Sequence, residues 1–315
     1  MNKISLGKIK YLLWSLVILA AVTGFYLLEN LMTSLHQAAV IAIRPIKDGV
    51  SRDLKVEDIR YSPLPNAFID VYSRPSGESS RPVFVFVHGG FYQGGFRRQY
   101  RHLGGWAHRQ GFIAVLVDYP AIHGMFSAML ASDEEKLQRD YFAQENSIRD
   151  ALKYIVNNAK QWGGDPDTLI LSGHGTGGQL ILSSLLDDKE AIPKVENSIK
   201  GMLLFSPIVD LTIDDPLLTG KFLPAAFGSR LDEVSSNSPM QNIRRFNFPI
   251  LILSAENDLP YMTDTLARFQ ANSNNDIRLK ITKGQSHQTL LFKLGRQTFD
   301  DTQTITQFSR EILKN

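Results

Sequence analysis

Six residues, Gly173-His174-Gly175-Thr176-Gly177-Gly178, stand between an apolar run at residues 168–171 and a helical apolar pattern at residues 178–186, and four of the six are glycine. A strand that turns sharply into a helix needs backbone dihedrals that any residue with a Cβ resists, and the bend packs close to neighbouring backbone. Apolar runs on both sides put this turn inside a core, so it predicts a buried strand end followed directly by a helix N-terminus. Such an N-terminus can hold a phosphate. No Lys follows the glycines, however, as a P-loop requires.

The flanking sequence continues the pattern. Residues 82–87 (PVFVFV) and 112–117 (FIAVLV) are continuous apolar runs, the signature of strands buried on both faces. Residues 202–205, 250–253 and 277–281 supply further strands. Residues 144–159 carry Ile148, Ala151, Leu152, Ile155 and Val156 at helical spacing. Residues 57–61 and 67–72, bounded by Pro63, Pro65 and Pro75, predict antiparallel edge strands. Buried strands alternating with helices require parallel pairing through right-handed crossovers. The expected fold class is therefore α/β, a mostly parallel central sheet with helices on both faces and with ligands gathering at the carboxyl ends of the strands. Residues 119–141 follow a strand and have mixed character, either part of a lid over that end or a plain surface excursion.

Ahead of this pattern, residues 11–28 read YLLWSLVILAAVTGFYLL, without a charge and just long enough to cross a bilayer as a helix. Lys3, Lys8 and Lys10 precede the run, Glu29 follows it, and the next basic residue is Arg44. The positive-inside bias then predicts a single-pass membrane protein with a cytoplasmic N-terminus and a periplasmic or extracytoplasmic domain. The expected organisation is residues 1–10 in the cytoplasm, 11–28 as a transmembrane anchor, 29–55 as a stalk and 56–315 as the α/β domain. A cleaved signal peptide is the alternative, but the run is longer than a usual h-region and no A-x-A site follows. Lys plus Arg number 34 against 32 for Asp plus Glu, a net charge of +2. With no long basic run, that argues against a nucleic-acid partner. The absence of cysteine excludes disulfides, thiolate metal sites and a Cys nucleophile. No H-E-x-x-H or similar spacing occurs, so neither a metal nor a cofactor is expected.

Three further positions carry chemistry. His88-Gly89-Gly90 follows directly on the run at 82–87, where glycines let the backbone present N–H groups to a developing oxyanion. The plain alternative is a tight turn that needs glycine for its dihedrals. Asp258 lies in the loop after 250–253, and His287 in the loop after 277–281. Taken singly, such an Asp is a solvated cap and such a His is structural. Their order behind the glycine turn is what makes them candidates. His36, His102, His108, His123 and His174 have no comparable context in the sequence.

HGG after a strand, the segment WGGDPDTLILSGHGTGGQL, then a late Asp and a late His resemble the hormone-sensitive-lipase and feruloyl-esterase-like branch of the α/β-hydrolases, from about Val83 to the C-terminus. The resemblance implies an α/β-hydrolase fold and a triad in the chain order nucleophile, acid, base. It gives the acid to Asp258, with Glu256 the weaker substitute, and the base to His287. It gives the oxyanion hole to the N–H groups of Gly89, Gly90 and Thr176. The nucleophile of G-x-S-x-G falls on Gly175, so that position is vacant. A second departure is Asp118-Tyr119-Pro120, where the branch usually has a Tyr-Arg pair. Removing the nucleophile of a Ser-His-Asp triad costs about six powers of ten in turnover. Three readings stay open. The domain binds a small acyl or ester ligand, or a partner, without catalysis. Alternatively it hydrolyses esters through a water activated by His287, or through an atypical nucleophile such as Thr176 or Ser172. Or it is an inactivated variant of a serine esterase.

Overall fold

The apolar runs pair into one sheet in the computed structural model, which describes residues 55–73, 80–121, 138–186, 193–291, 294 and 300–314. The strands are β1 (Lys55–Arg60), β2 (Phe68–Ser73), β3 (Arg81–Val87), β4 (Ile113–Val117), β5 (Gly164–His174), β6 (Ile199–Phe205), β7 (Ile250–Asn257) and β8 (Ile277–Ser286). Among the described residues they form one sheet of eight in the order β1-β2-β4-β3-β5-β6-β7-β8. The β1–β2 and β2–β4 pairs are antiparallel, which is the edge expected from residues 57–61 and 67–72. From β4 across to β8 every pairing is parallel. In the middle of the sheet Val85 pairs with Val115 on one side and with Leu171 on the other.

The helices are α1 (Arg101–Arg109), α2 (Tyr141–Asn158), α3 (Thr176–Ser184), α4 (Pro193–Ser198), α5 (Leu223–Phe227), α6 (Met262–Ala271) and α7 (Asp300–Ile312). Side chains alternate along a strand, so each apolar run serves two cores. Val83, Val85 and Val87 face one, with Ile148, Leu152 and Ile155 of α2, Leu180 of α3 and Phe269 of α6. Phe84 and Phe86 face the other, with Leu103 and Trp106 of α1 and Ile305 and Phe308 of α7. Each of these fully buried side chains stabilises the fold by about 1.5–3 kcal/mol over leaving it exposed. The start of α2 is set by Asp140, whose side chain accepts the Ala143 N–H at 2.8 Å, a bond of the N-cap kind.

Two elements differ from the sequence expectation. β5 starts at Gly164 rather than 168, because its polar opening is fastened locally: Asp165 accepts the Asp167 N–H at 3.0 Å and the Thr168 hydroxyl at 2.8 Å. α3 begins at Thr176 rather than 178, because Gly175 makes the whole turn alone. Between β6 and β7 the chain also folds into short helical pieces that no periodic pattern announces. These are a π-helical turn at Leu218–Phe222, α5, and 3-10 turns at Gly228–Glu233 and Pro239–Arg245.

The expected cytoplasmic segment 1–10 and anchor 11–28 lie outside the described residues, as do most of the stalk and residues 122–137 of the stretch read as lid or excursion. Among the described residues no helix is long and apolar enough to cross a membrane.

Candidate active site

The turn between β5 and α3 is built on Gly175, with φ 52° and ψ −118°, a conformation that strains any residue carrying a Cβ. Its backbone is held from both sides. The N–H donates to the Phe205 carbonyl at 2.9 Å, and its own carbonyl accepts from Ile208 N–H at 3.2 Å. Gly177 is required by proximity, since a Cβ there would lie 2.3 Å from the His88 carbonyl oxygen. That approach brings the start of α3 against the end of β3. Gly89 is also hemmed in, its would-be Cβ 2.8 Å from the His174 carbonyl oxygen. The Gly89–Gly90 turn and the first residue of α3, Thr176, therefore meet at one strand end. The first N–H groups of a helix have no intrahelical partner, so this end is rich in backbone donors.

Asp258 and His287 come together at the same end. His287 Nδ1 is 2.7 Å from Asp258 Oδ1. The carboxylate also accepts from Ser254 Oγ at 3.1 Å, Ala255 N–H at 3.1 Å, Leu259 N–H at 2.8 Å and the Ser206 hydroxyl. Burial alone would push this carboxyl up; the hydrogen bonds from His287, Ser206 and Leu259 outweigh it and hold the group down at about 2. With Nδ1–H donated to Asp258, the lone pair of His287 sits on Nε2. That atom stands 3.1 Å from the point a Cβ on Gly175 would occupy. Glu256, the weaker candidate for the acid, is exposed and accepts the Gly284 N–H at 2.9 Å instead. Of the atypical nucleophiles, Ser172 is fully buried within the sheet and Thr176 is 1% exposed.

His174 corrects the sequence reading, which found no context for it. As the last residue of β5 it lies against the His287 loop. Its Nε2 is 2.9 Å from the His287 carbonyl oxygen, which can only accept, so Nε2 carries the proton. The Tyr100 hydroxyl reaches Nδ1 at 3.3 Å, and the two imidazole centroids are 4.6 Å apart. Burial, reinforced by the neighbouring His287, holds His174 down at about 3 and keeps it neutral.

Sequence reasoning also missed a charged cluster beneath the Gly89 turn. Arg97, nearly buried, donates to both oxygens of Asp118, to Asp70 at 2.8 Å and to Asp58 at 2.7 Å. His88 Nε2 faces Asp118 at 3.2 Å, and its Nδ1 lies 2.9 Å from the Gly89 carbonyl. Burial raises the Asp118 carboxyl, but His88 and Arg97 together bring it below its ordinary value. The Asp118-Tyr119-Pro120 departure noted in the sequence thus meets a guanidinium supplied from another loop.

The wall beside His287 is aromatic. The Phe91 ring stacks on Phe222 with centroids 4.3 Å apart and lies 6.1 Å from the His287 ring. Phe91 and Tyr92 both have positive φ, 52° and 64°. The segment is fixed from below, where Gln144 donates to the Tyr92 carbonyl at 2.8 Å and the Tyr92 hydroxyl donates to Gln179 at 3.0 Å. Backbone strain of this kind persists only where the surroundings over-determine it, and it collects around ligand sites. Among the described residues no group of three or more His, Asp or Glu side chains is placed to hold a metal ion.

Comparison with known proteins places the fold. The BD-FAE family model matches residues 69–262. Neuroligin-like protein glit-1 from Caenorhabditis elegans is 31% identical over 152 residues, which are 48% of this chain and 19% of that protein, so the chain spans about a fifth of this relative's length. Esterase B from Lactobacillus rhamnosis, solved with a C6-C4 SN3 inhibitor, superposes with a TM-score of 0.71 at 16% identity, covering 95% of this chain and 97% of that one. Thermogutta terrifontis esterase 2, solved phosphoramylated by tabun, gives a TM-score of 0.61 at 22% identity, covering 83% and 94%. At these identities the two esterases share the fold with this chain.

Proposed function

The chain belongs to the BD-FAE family, within the carboxylesterase-like α/β-hydrolase superfamily, and from that premise we propose that its domain binds a small acyl or ester compound above Gly175 without serine-based acyl transfer. In this reading Gly175 stands where the superfamily carries its nucleophile, Asp258 and His287 are the retained acid and base, and Thr176 with Gly90 forms the oxyanion hole. One observation carries it: His287 Nε2 lies 3.1 Å from the position of an absent side chain, on a turn whose dihedrals only glycine adopts without strain. The neighbouring Phe91–Phe222 stack supports an apolar ligand. The relative named neuroligin-like rather than esterase fits a domain that does not hydrolyse. We further propose that residues 11–28 anchor the protein in a membrane, with the domain on the far side from the cytoplasm. The uncharged run and the preceding lysines support this.

The test combines two measurements on the full chain in detergent. A fluorophosphonate should leave no covalent adduct, and saturation-transfer NMR with short alkyl butyrates should show contact that His287→Ala or Phe91→Ala alters. An adduct on Thr176 or Ser172 would contradict the reading, and so would the absence of any contact.

A second reading is favoured by the free lone pair on His287 Nε2, which can deprotonate a water in the space left at Gly175. Hydrolysis of p-nitrophenyl butyrate that disappears in His287→Ala would establish it.

A further inference from the structure

The His287–Asp258 pair is more than an acyl-binding pocket needs. An ionised carboxylate whose side chain is 1% exposed loses most of its hydration, and five donors are arranged around Asp258 to offset that loss. Apolar walls alone would hold an acyl chain. What the donors achieve is a histidine fixed in one tautomer, its Nε2 lone pair aimed at residue 175. Glycine there removes the hydroxyl that would otherwise stand between this lone pair and a bound compound. An acidic proton on the ligand itself can then meet Nε2 directly. The start of α3 and the Gly89–Gly90 turn meet at the same strand end, and the first N–H groups of a helix have no intrahelical partner.

We propose that His287 and Asp258 act as a general base on the bound ligand, removing a proton from the carbon next to a ketone or thioester carbonyl. Nε2 gains the proton. The C–H electron pair becomes the C=C bond of an enolate, and the carbonyl oxygen takes the negative charge, held by the N–H groups of Thr176 and Gly90, while the Gly89 N–H is given to the Tyr100 hydroxyl oxygen. Asp258 at 2.7 Å stabilises the imidazolium that forms. Return of a proton from Nε2 to the same face of the same carbon restores the ligand, so the net event is exchange of that hydrogen with solvent. No oxidant, metal or second substrate enters the balance. Ketones and thioesters are named because oxygen esters are less acidic at this carbon. The inference rests on the ligand-binding reading above in one respect: a carbonyl compound must occupy the space over Gly175.

The test uses the full chain in D2O with S-ethyl thiobutyrate, following the α-protons by NMR and reading contact by saturation transfer in the same sample. Exchange about a hundredfold above buffer is expected. It should vanish in His287→Gln, a variant expected to melt cooperatively and still to show contact with the thioester, even if altered in strength. Contact without exchange overturns this inference and leaves the binding reading standing. Absence of contact overturns both. Release of ethanethiol without exchange assigns His287 to a water instead and overturns it, as does exchange undiminished in His287→Gln.

Discussion

His287 Nε2 stands 3.1 Å from where a side-chain carbon on Gly175 would be, while its Nδ1 is 2.7 Å from Asp258. The imidazole is thus held at one end and faces bare backbone at the other. A methyl group at position 175 would meet a backbone with φ 52° and a ring that must yield by a few tenths of an ångström. Gly175→Ala is expected to lose about 1–3 kcal/mol of stability. Urea denaturation checks this as a lower midpoint at unchanged slope.

His174 makes stability depend on pH. Its ordinary value of 6.5 falls to about 3 in the folded chain. Between those values the unfolded chain binds more protons than the folded one at this site, so stability rises with pH across that range and is lost on acidification. From pH 6.5 to 5 the loss at this residue is about 2 kcal/mol. Asp258, held at about 2 against an ordinary 3.8, contributes its own loss only below that window. Denaturation midpoints at the two pH values should therefore converge in His174→Phe, and an unchanged difference would refute the assignment.

Arg97 joins three carboxylates with a side chain only 6% exposed. Arg97→Met removes the guanidinium shared by Asp70 and Asp118, leaving Asp70 only Arg101 at 3.9 Å and Asp118 only the His88 ring at 3.2 Å, for an expected cost of about 3–5 kcal/mol. Asp58 is half exposed, so Asp58→Ala should cost no more than about 1 kcal/mol. Thermal denaturation of the two variants distinguishes a buried network from a surface one.

The membrane proposal can be tested cleanly because the chain has no cysteine of its own. A single cysteine replacing exposed Asp167 should react with a membrane-impermeant maleimide in intact cells or spheroplasts. One replacing Asn2 should react only after permeabilisation. The reverse pattern would invert the topology.

The strands around Val85 and Leu171 were legible because burial on both faces leaves continuous apolar runs, and the elbow was legible because its four glycines cluster within six residues between two apolar runs. Asp258 and His287 were readable as candidates through their order at strand ends. His174 was not: its partner is a carbonyl 113 residues later, and a histidine among glycines carries no periodic signal. Ser206 reaches Asp258 across 52 residues, and Arg97 gathers Asp58, Asp70 and Asp118 from three separate segments. Only the folded sheet brings such pairs together. Phe222 lies in short helical turns whose lengths are too small for periodicity to register.

Restoring an oxygen at the elbow probes the whole constellation at once. Purified Gly175→Ser should hydrolyse p-nitrophenyl butyrate and take up one fluorophosphonate on residue 175, with both lost when His287→Ala is added. A Gly175→Ser protein that melts cooperatively yet neither turns over the ester nor accepts the phosphonate would contradict the claim that acid, base and backbone donors still stand in working alignment.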